Sequence, residues 1–153
     1  MKRVYKAPEQ YPKLGNDKIY IFLAGSIEMG KAEDWQTKIT EFVDKNHPDA
    51  HLLNPRRDDW DSSWEQTIKN KQFREQVEWE LDALDEADVI VMHFDPKTKS
   101  PISLLELGLH ANTGKKMVVS CPDGFWRKGN VEIVCNKYNI PLYNSMDELM
   151  NAL

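Results

Sequence analysis

Five short apolar runs alternate with five helix-patterned segments along this chain. That alternation narrows the folds open to it more than any other feature. The runs are Lys18–Ala24, His51–Asn54, Asp88–Phe94, Lys116–Ser120 and Ile140–Tyr143. Between them the pattern predicts helices over Ala32–Asn46, Gln66–Glu86, Pro101 to about Gly114, and Asn130–Tyr138. A last helix, Met146–Leu153, follows with Ser145 as its cap. Trp35, Ile39, Phe42 and Val43 recur at helical spacing in the first helix. In the second helix, Phe73, Val77, Leu81 and Leu84 form the expected apolar stripe.

Strands that each run into a helix build a parallel sheet with helices on both faces. The expected fold is α/β, doubly wound and five-stranded, with the flavodoxin-like order 2-1-3-4-5, in one domain over residues 1–153. Residues 1–16, with two prolines and a glycine, are expected as a loose arm. Ligands in such sheets bind beyond the carboxyl ends of the strands, where the strand order reverses. The loop holding Gly25, Ser26 and Gly30 and the segment holding Asp95, Ser100 and Glu106 should therefore face one crevice.

The net charge of −5 argues against a nucleic-acid polymer as partner, which would need a basic face. No apolar run reaches membrane-spanning length, and residues 1–16 carry no signal-peptide core, so a cytoplasmic protein with no membrane partner is expected. Cys121 and Cys135 are expected as free thiols, Cys135 in the core and Cys121 open to solvent at a strand end. The four histidines show no ligand spacing, so neither a metal nor a cofactor is expected.

Ser100-Pro101 reads as a helix start, with Ser100 as N-cap and Pro101 at the first helical position. Glu106 lies a turn further in, among leucines and beside Gly108, which lets a backbone or a ligand come close. It reads either as a solvated helix glutamate or as a carboxylate aimed into the crevice. On the second helix Glu80 falls within ~60° of the centre of the apolar stripe, at about 100° per residue, while Asp82 falls opposite. A buried acid must be paired, hydrogen-bonded or protonated. Glu80 is thus either one half of a salt bridge or a second carboxylate near the crevice. The loop Gly25-Ser26-Ile27-Glu28-Met29-Gly30 is an ordinary strand-to-helix turn or a cradle for phosphate or sugar oxygens. Arg56 and Arg57 are the main basic candidates near the crevice. Trp60, Trp64, Phe125 and Trp126 are loop aromatics that pack, cover the site or meet a base.

Three segments carry a family resemblance: Phe22-Leu23-Ala24-Gly25-Ser26-Ile27, Ala87-Asp88-Val89-Ile90-Val91, and Glu106-Leu107-Gly108. Together they resemble the nucleoside 2-deoxyribosyltransferase superfamily from about Ile19 to Val134. The strings Asn54-Pro55-Arg56-Arg57-Asp58-Asp59-Trp60 and Ser100-Pro101-Ile102-Ser103-Leu104-Leu105-Glu106 look like its nucleoside 2-deoxyribosyltransferase-like branch. The resemblance implies that Glu106 is a nucleophile and that Glu80 stands where the family has a second acid, with Asp95 as the other candidate for proton transfer. It implies substrate contacts from Gly25, Ser26, Ile27, Arg56, Arg57, Trp60, Ser100, Gly108 and Trp126. Ser100 stands where the transferases tend to have Asp; a serine there is similar to the deoxynucleoside 5′-monophosphate N-glycosidases. Glu28 stands where those hydrolases have an arginine, which leaves Arg56 or Arg57 to meet a phosphate.

The implied reaction is cleavage or transfer of the N-glycosidic bond of a (deoxy)nucleoside or nucleotide, through a glycosyl-enzyme intermediate. A helix N-terminus near Glu106 is expected to favour its ionised form. Family members build sites at subunit contacts, which implies a homodimer or larger assembly. The competing readings are a nucleotide-binding or sensor module without turnover, and a glycohydrolase acting on NAD-like dinucleotides.

Overall fold

The fold was taken from a computed structural model, which describes residues 2–26, 34–57, 61 and 63–153. Six strands form one parallel sheet: β1 (Val4–Lys6), β2 (Ile19–Gly25), β3 (Ala50–Asn54), β4 (Val89–His93), β5 (Lys116–Ser120) and β6 (Leu142–Tyr143). Their spatial order is β1-β3-β2-β4-β5-β6. The expected five-stranded order is present from β3 to β6, with β1 added at the β3 edge. The helices are α1 (Trp35–Asn46), α2 (Lys71–Glu86), α3 (Pro101–His110), α4 (Lys128–Lys137) and α5 (Met146–Ala152).

Successive side chains of a strand point to opposite faces, and the core divides accordingly. Tyr20, Phe22 and Ala24 of β2, with Ile90 and Met92 of β4, meet Ala83 and Leu84 of α2, Leu107 of α3 and Val131 and Cys135 of α4. Ile21 and Leu23, with Val89 and Val91, meet Trp35, Ile39 and Val43 of α1 and Met146 and Leu149 of α5. β4 is buried along its whole length, as a central parallel strand should be. Among the described residues no helix is long and apolar enough to cross a membrane.

The N-terminal arm departs from expectation. Val4–Lys6 pairs in parallel with β3, and the Ala7 N–H donates to the Asn54 carbonyl at 3.1 Å. Tyr5 drives this, because its buried ring packs edge-on to Tyr20 and stacks on His51. The second helix starts at Lys71 rather than Gln66, because Asn70 caps it by accepting the Phe73 N–H at 3.0 Å. Its inward stripe is also rotated: Gln76, Ala83 and Leu84 are buried, while Leu81 is exposed. Cys121 is buried rather than open to solvent, and burial pushes its thiol up to about 11 and that of Cys135 up to about 12. Both thiols are free.

Candidate active site

β2 and β4 pair in register so that Gly25 stands beside His93. A Cβ at Gly25 would lie 2.2 Å from the His93 carbonyl oxygen and 2.8 Å from the Trp35 ring, and its φ of +143° is one that only glycine adopts freely. This contact brings the turn after β2 against the segment after β4, at the expected switch point. The Ser26 N–H donates to the His93 carbonyl at 3.0 Å, and the Asp95 N–H donates to Ser26 Oγ at 2.8 Å.

Three buried hydroxyls then form a closed cluster. Ser26 Oγ lies 2.9 Å from Thr98 Oγ1 and in short contact with Ser100 Oγ; Thr98 Oγ1 lies 2.8 Å from Ser100 Oγ and donates to the Asp95 carbonyl at 2.9 Å. Ser100 holds the position before α3, but its hydroxyl does not cap the helix. Its φ of 45° puts it in the left-handed region, which turns the side chain toward Ser26 and Thr98. A non-glycine residue held there costs of the order of 1–2 kcal/mol. The Asp95 carboxylate accepts the Lys97 N–H at 2.9 Å and so shapes the same turn.

Glu106 is 7% exposed, on the inward face of α3 with Ser103, Leu107 and His110. Glu80 is partly buried on α2. Each feels burial first: it lifts Glu80 to about 7, against a smaller lowering by its Gln76 hydrogen bond. Glu106 rises to about 8, with the negative charge of Glu80 as the second cause. The helix N-terminus does not keep Glu106 ionised. Glu106 lies beyond the first turn, where the end effect fades, and desolvation dominates. Among the described residues Glu80 has no ion-pair partner; its partner is the Gln76 side-chain amide at 3.0 Å.

The flanking groups divide into two sets. Arg56 donates to Gln36 Oε1 at 3.2 Å and lies 3.6 Å from the Asp34 carboxylate, so it leans on the α1 side. Arg57 sits over the Trp64 ring, 4.9 Å from its centre, and 3.4 Å from Glu75. Trp126 is half exposed, and its indole N–H donates to the Lys99 carbonyl at 2.8 Å, with Lys99 and Arg127 over its ring. Gly108 is not brought to the acid pair. It is exposed and lines a groove between α3 and α4 with Leu104, Leu107 and Val131, some 200° around the helix from Glu106. Ile27, Glu28, Met29, Gly30, Asp58, Asp59 and Trp60 lie outside the described residues.

Sequence reasoning missed Thr98, Gln36 and Gln76. Thr98 was findable as a second hydroxyl two places before Ser100, and Gln76 as a polar residue one turn before Glu80.

The family model for nucleoside 2-deoxyribosyltransferase-like proteins matches residues 18–125. The chain belongs to the nucleoside 2-deoxyribosyltransferase-like family. The family segment runs from the start of β2 to Phe125, and so includes Ser26, Arg56, Glu80, Asp95, Ser100 and Glu106. It is a family of nucleoside-related glycosyl transfer. β1, α4, β6 and α5 lie outside the match. No curated protein matches the chain significantly. Among solved structures, it is similar to a conserved protein from Enterococcus faecalis V583. The identity is 14% and the TM-score 0.61, covering 88% of this nucleoside 2-deoxyribosyltransferase-like chain and 96% of the other. That likeness supports the α/β fold.

Proposed function

We propose that the protein cleaves or transfers the N-glycosidic bond of a (deoxy)nucleoside or nucleotide, with Glu106 as nucleophile and Glu80 as its proton partner. The observation that carries this reading is a buried carboxyl on α3 and a partly buried one on α2, electrostatically coupled and without a basic partner among the described residues. Between about pH 7 and 8 the pair holds one proton. Moving that proton from Glu106 to Glu80 creates a nucleophile and an acid together.

The Glu106 carboxylate then attacks the anomeric carbon opposite the base. The carbon–nitrogen bond breaks, its electron pair leaves with the base, and the base takes the proton from Glu80. Water, giving a proton to Glu80, or a second base then attacks the same carbon and frees Glu106, with net retention. The Ser26, Thr98 and Ser100 hydroxyls suit sugar or phosphate oxygens. Arg56 and Arg57 would reach a phosphate by exchanging their present partners. Lys99 and Arg127 around Trp126 favour an anionic substrate at the mouth.

We also propose that the protein works as a homodimer or larger assembly. Ile102, Leu105 and Leu109 repeat along the outward face of α3 and are each about half exposed. Gly108 beside them has open space where its Cβ would stand, so no neighbour among the described residues requires a glycine there.

Base release, followed by chromatography, tests the reaction across deoxynucleosides, their 5′-monophosphates and NAD, with and without a second free base. Release by the native protein should fall at least ~10³-fold in Glu106→Ala. A new nucleoside identifies a transferase, and free sugar a hydrolase. Nicotinamide release faster than any other would favour a dinucleotide substrate. No release from any member would move the reading to a nucleotide-binding module.

A further inference from the structure

Gln76 is an unusual resident of the core. It is 4% exposed, on the inward stripe of α2 where an apolar side chain is the ordinary choice. Its amide nitrogen makes two bonds, donating to the Pro55 carbonyl at 2.9 Å and to Glu80 Oε1 at 3.0 Å. The Pro55 carbonyl can only accept, so the orientation of the amide is fixed by chemistry. The other end of the same group, Oε1, is buried and has no hydrogen-bond partner among the described residues.

The two partners of Gln76 belong to different parts of the site. Pro55 opens the loop that carries Arg56 and Arg57, and Asn54 Oδ1 accepts the Arg56 N–H at 2.9 Å just before it. The negative charge of Glu80 bears on Glu106 of α3. The sheet beneath α2 brings Phe22, Ala24 and Met92 into the same apolar cluster as Ala83 and Leu84. Gln76 is therefore a direct polar link, among the described residues, between the arginine loop and the acid pair.

We propose that Gln76 is a positioning residue: it clamps Glu80 to the loop after β3 and dictates which oxygen of Glu80 handles the proton. With Oε1 of Glu80 engaged as an acceptor, the mobile proton resides on Oε2. Gln76 also favours the ionised form of Glu80, which keeps that proton easy to give up. The clamp rests on the proposed reaction for its catalytic meaning, but its effect on Glu80 is independent of any substrate.

The test is a carbon-13 NMR titration of the glutamate carboxyls, with the Glu80 signal assigned by its loss in Glu80→Gln. The native protein is compared with Gln76→Leu and with Gln76→Met, which fills the same volume. Circular dichroism checks the fold. In a folded variant the Glu80 titration should move up by about one unit. The acidic limb of the base-release profile should follow it, with kcat lowered tenfold or more. An unmoved titration overturns the proposal whatever the activity, and so does failure of both variants to fold, which would make Gln76 part of the scaffold. A moved titration in a native protein that releases no base keeps the clamp and removes the glycosidic reading instead.

Discussion

Ser100 and Ser145 occupy equivalent places, each the last residue before a helix, yet they behave in opposite ways. Ser145 is extended, with φ −151°, and its hydroxyl accepts the Glu148 N–H at 3.1 Å. Ser100 is left-handed and gives its hydroxyl to Ser26 and Thr98. The helices that follow differ in the same sense. α5 buries Met146 and Leu149 and exposes Asp147 and Glu148. α3 buries Ser103, Glu106 and His110 and exposes Ile102, Leu105 and Leu109. One helix follows the local rules of capping and amphipathicity; the other breaks both at the same address. Departures from local rules that coincide in this way are expected where function, rather than folding, chose the residues.

Three experiments press on that contrast. The largest effect is expected inside α3. Glu80 and Glu106 keep their protons in the folded chain up to about pH 7 and 8, against 4.5 for an ordinary glutamate. Over that window the folded state binds more protons than the unfolded one, so stability falls as pH rises and levels off above pH 8. Thermal unfolding should show a Tm lower at pH 8 than at pH 5 by roughly 10 °C. Glu106→Gln should remove at least half of that slope. A Tm flat across the window in the native protein would contradict the enclosed pair.

The outward side of α3 comes next. If a second copy covers it, Leu105→Glu should weaken self-association roughly 30-fold or more, because an isologous contact carries the substitution twice. Light scattering after gel filtration reads this directly. A monomeric native protein would leave the exposed leucines without that explanation.

The smallest effect separates the two serines. Ser145→Ala should cost about 1 kcal/mol in urea unfolding and leave base release unchanged. Ser100→Gly relieves a left-handed residue while losing buried hydrogen bonds, so its stability should stay within ~1 kcal/mol of native. Its substrate affinity should nevertheless fall about tenfold. If Ser100→Gly costs more stability than Ser145→Ala and leaves affinity intact, Ser100 is a structural residue after all.

Much of this architecture was legible in the sequence, because strand and helix periods differ and β4 is so continuously apolar. The meeting of Ser26 with Ser100 followed from the switch point alone. What was illegible has identifiable causes. β1 is three residues long, and its partner is remote, so Val4-Tyr5-Lys6 carries no periodic signal of its own. The leucines of α3 occupy every side of the helix, so their spacing could not say which face is buried; Glu106 facing inward forces Leu105 and Leu109 out. Gln76 resembles any surface glutamine, and only the position of Pro55 in space reveals its task.

The hydroxyl cluster has a consequence for the order in which the molecule comes into being. Ser26 is joined to Thr98 and Ser100 across 72 and 74 positions of chain. Such distant closures form late, after the cost of ordering the intervening chain has been met. A nascent chain ending before Ser100 already holds Gly25, Arg56, Arg57 and Glu80, yet it lacks one hydroxyl of the cluster and Glu106. The joined cluster thus arises only once β4 has settled beside β2, and partly made chains carry the Arg56 and Arg57 segment without it.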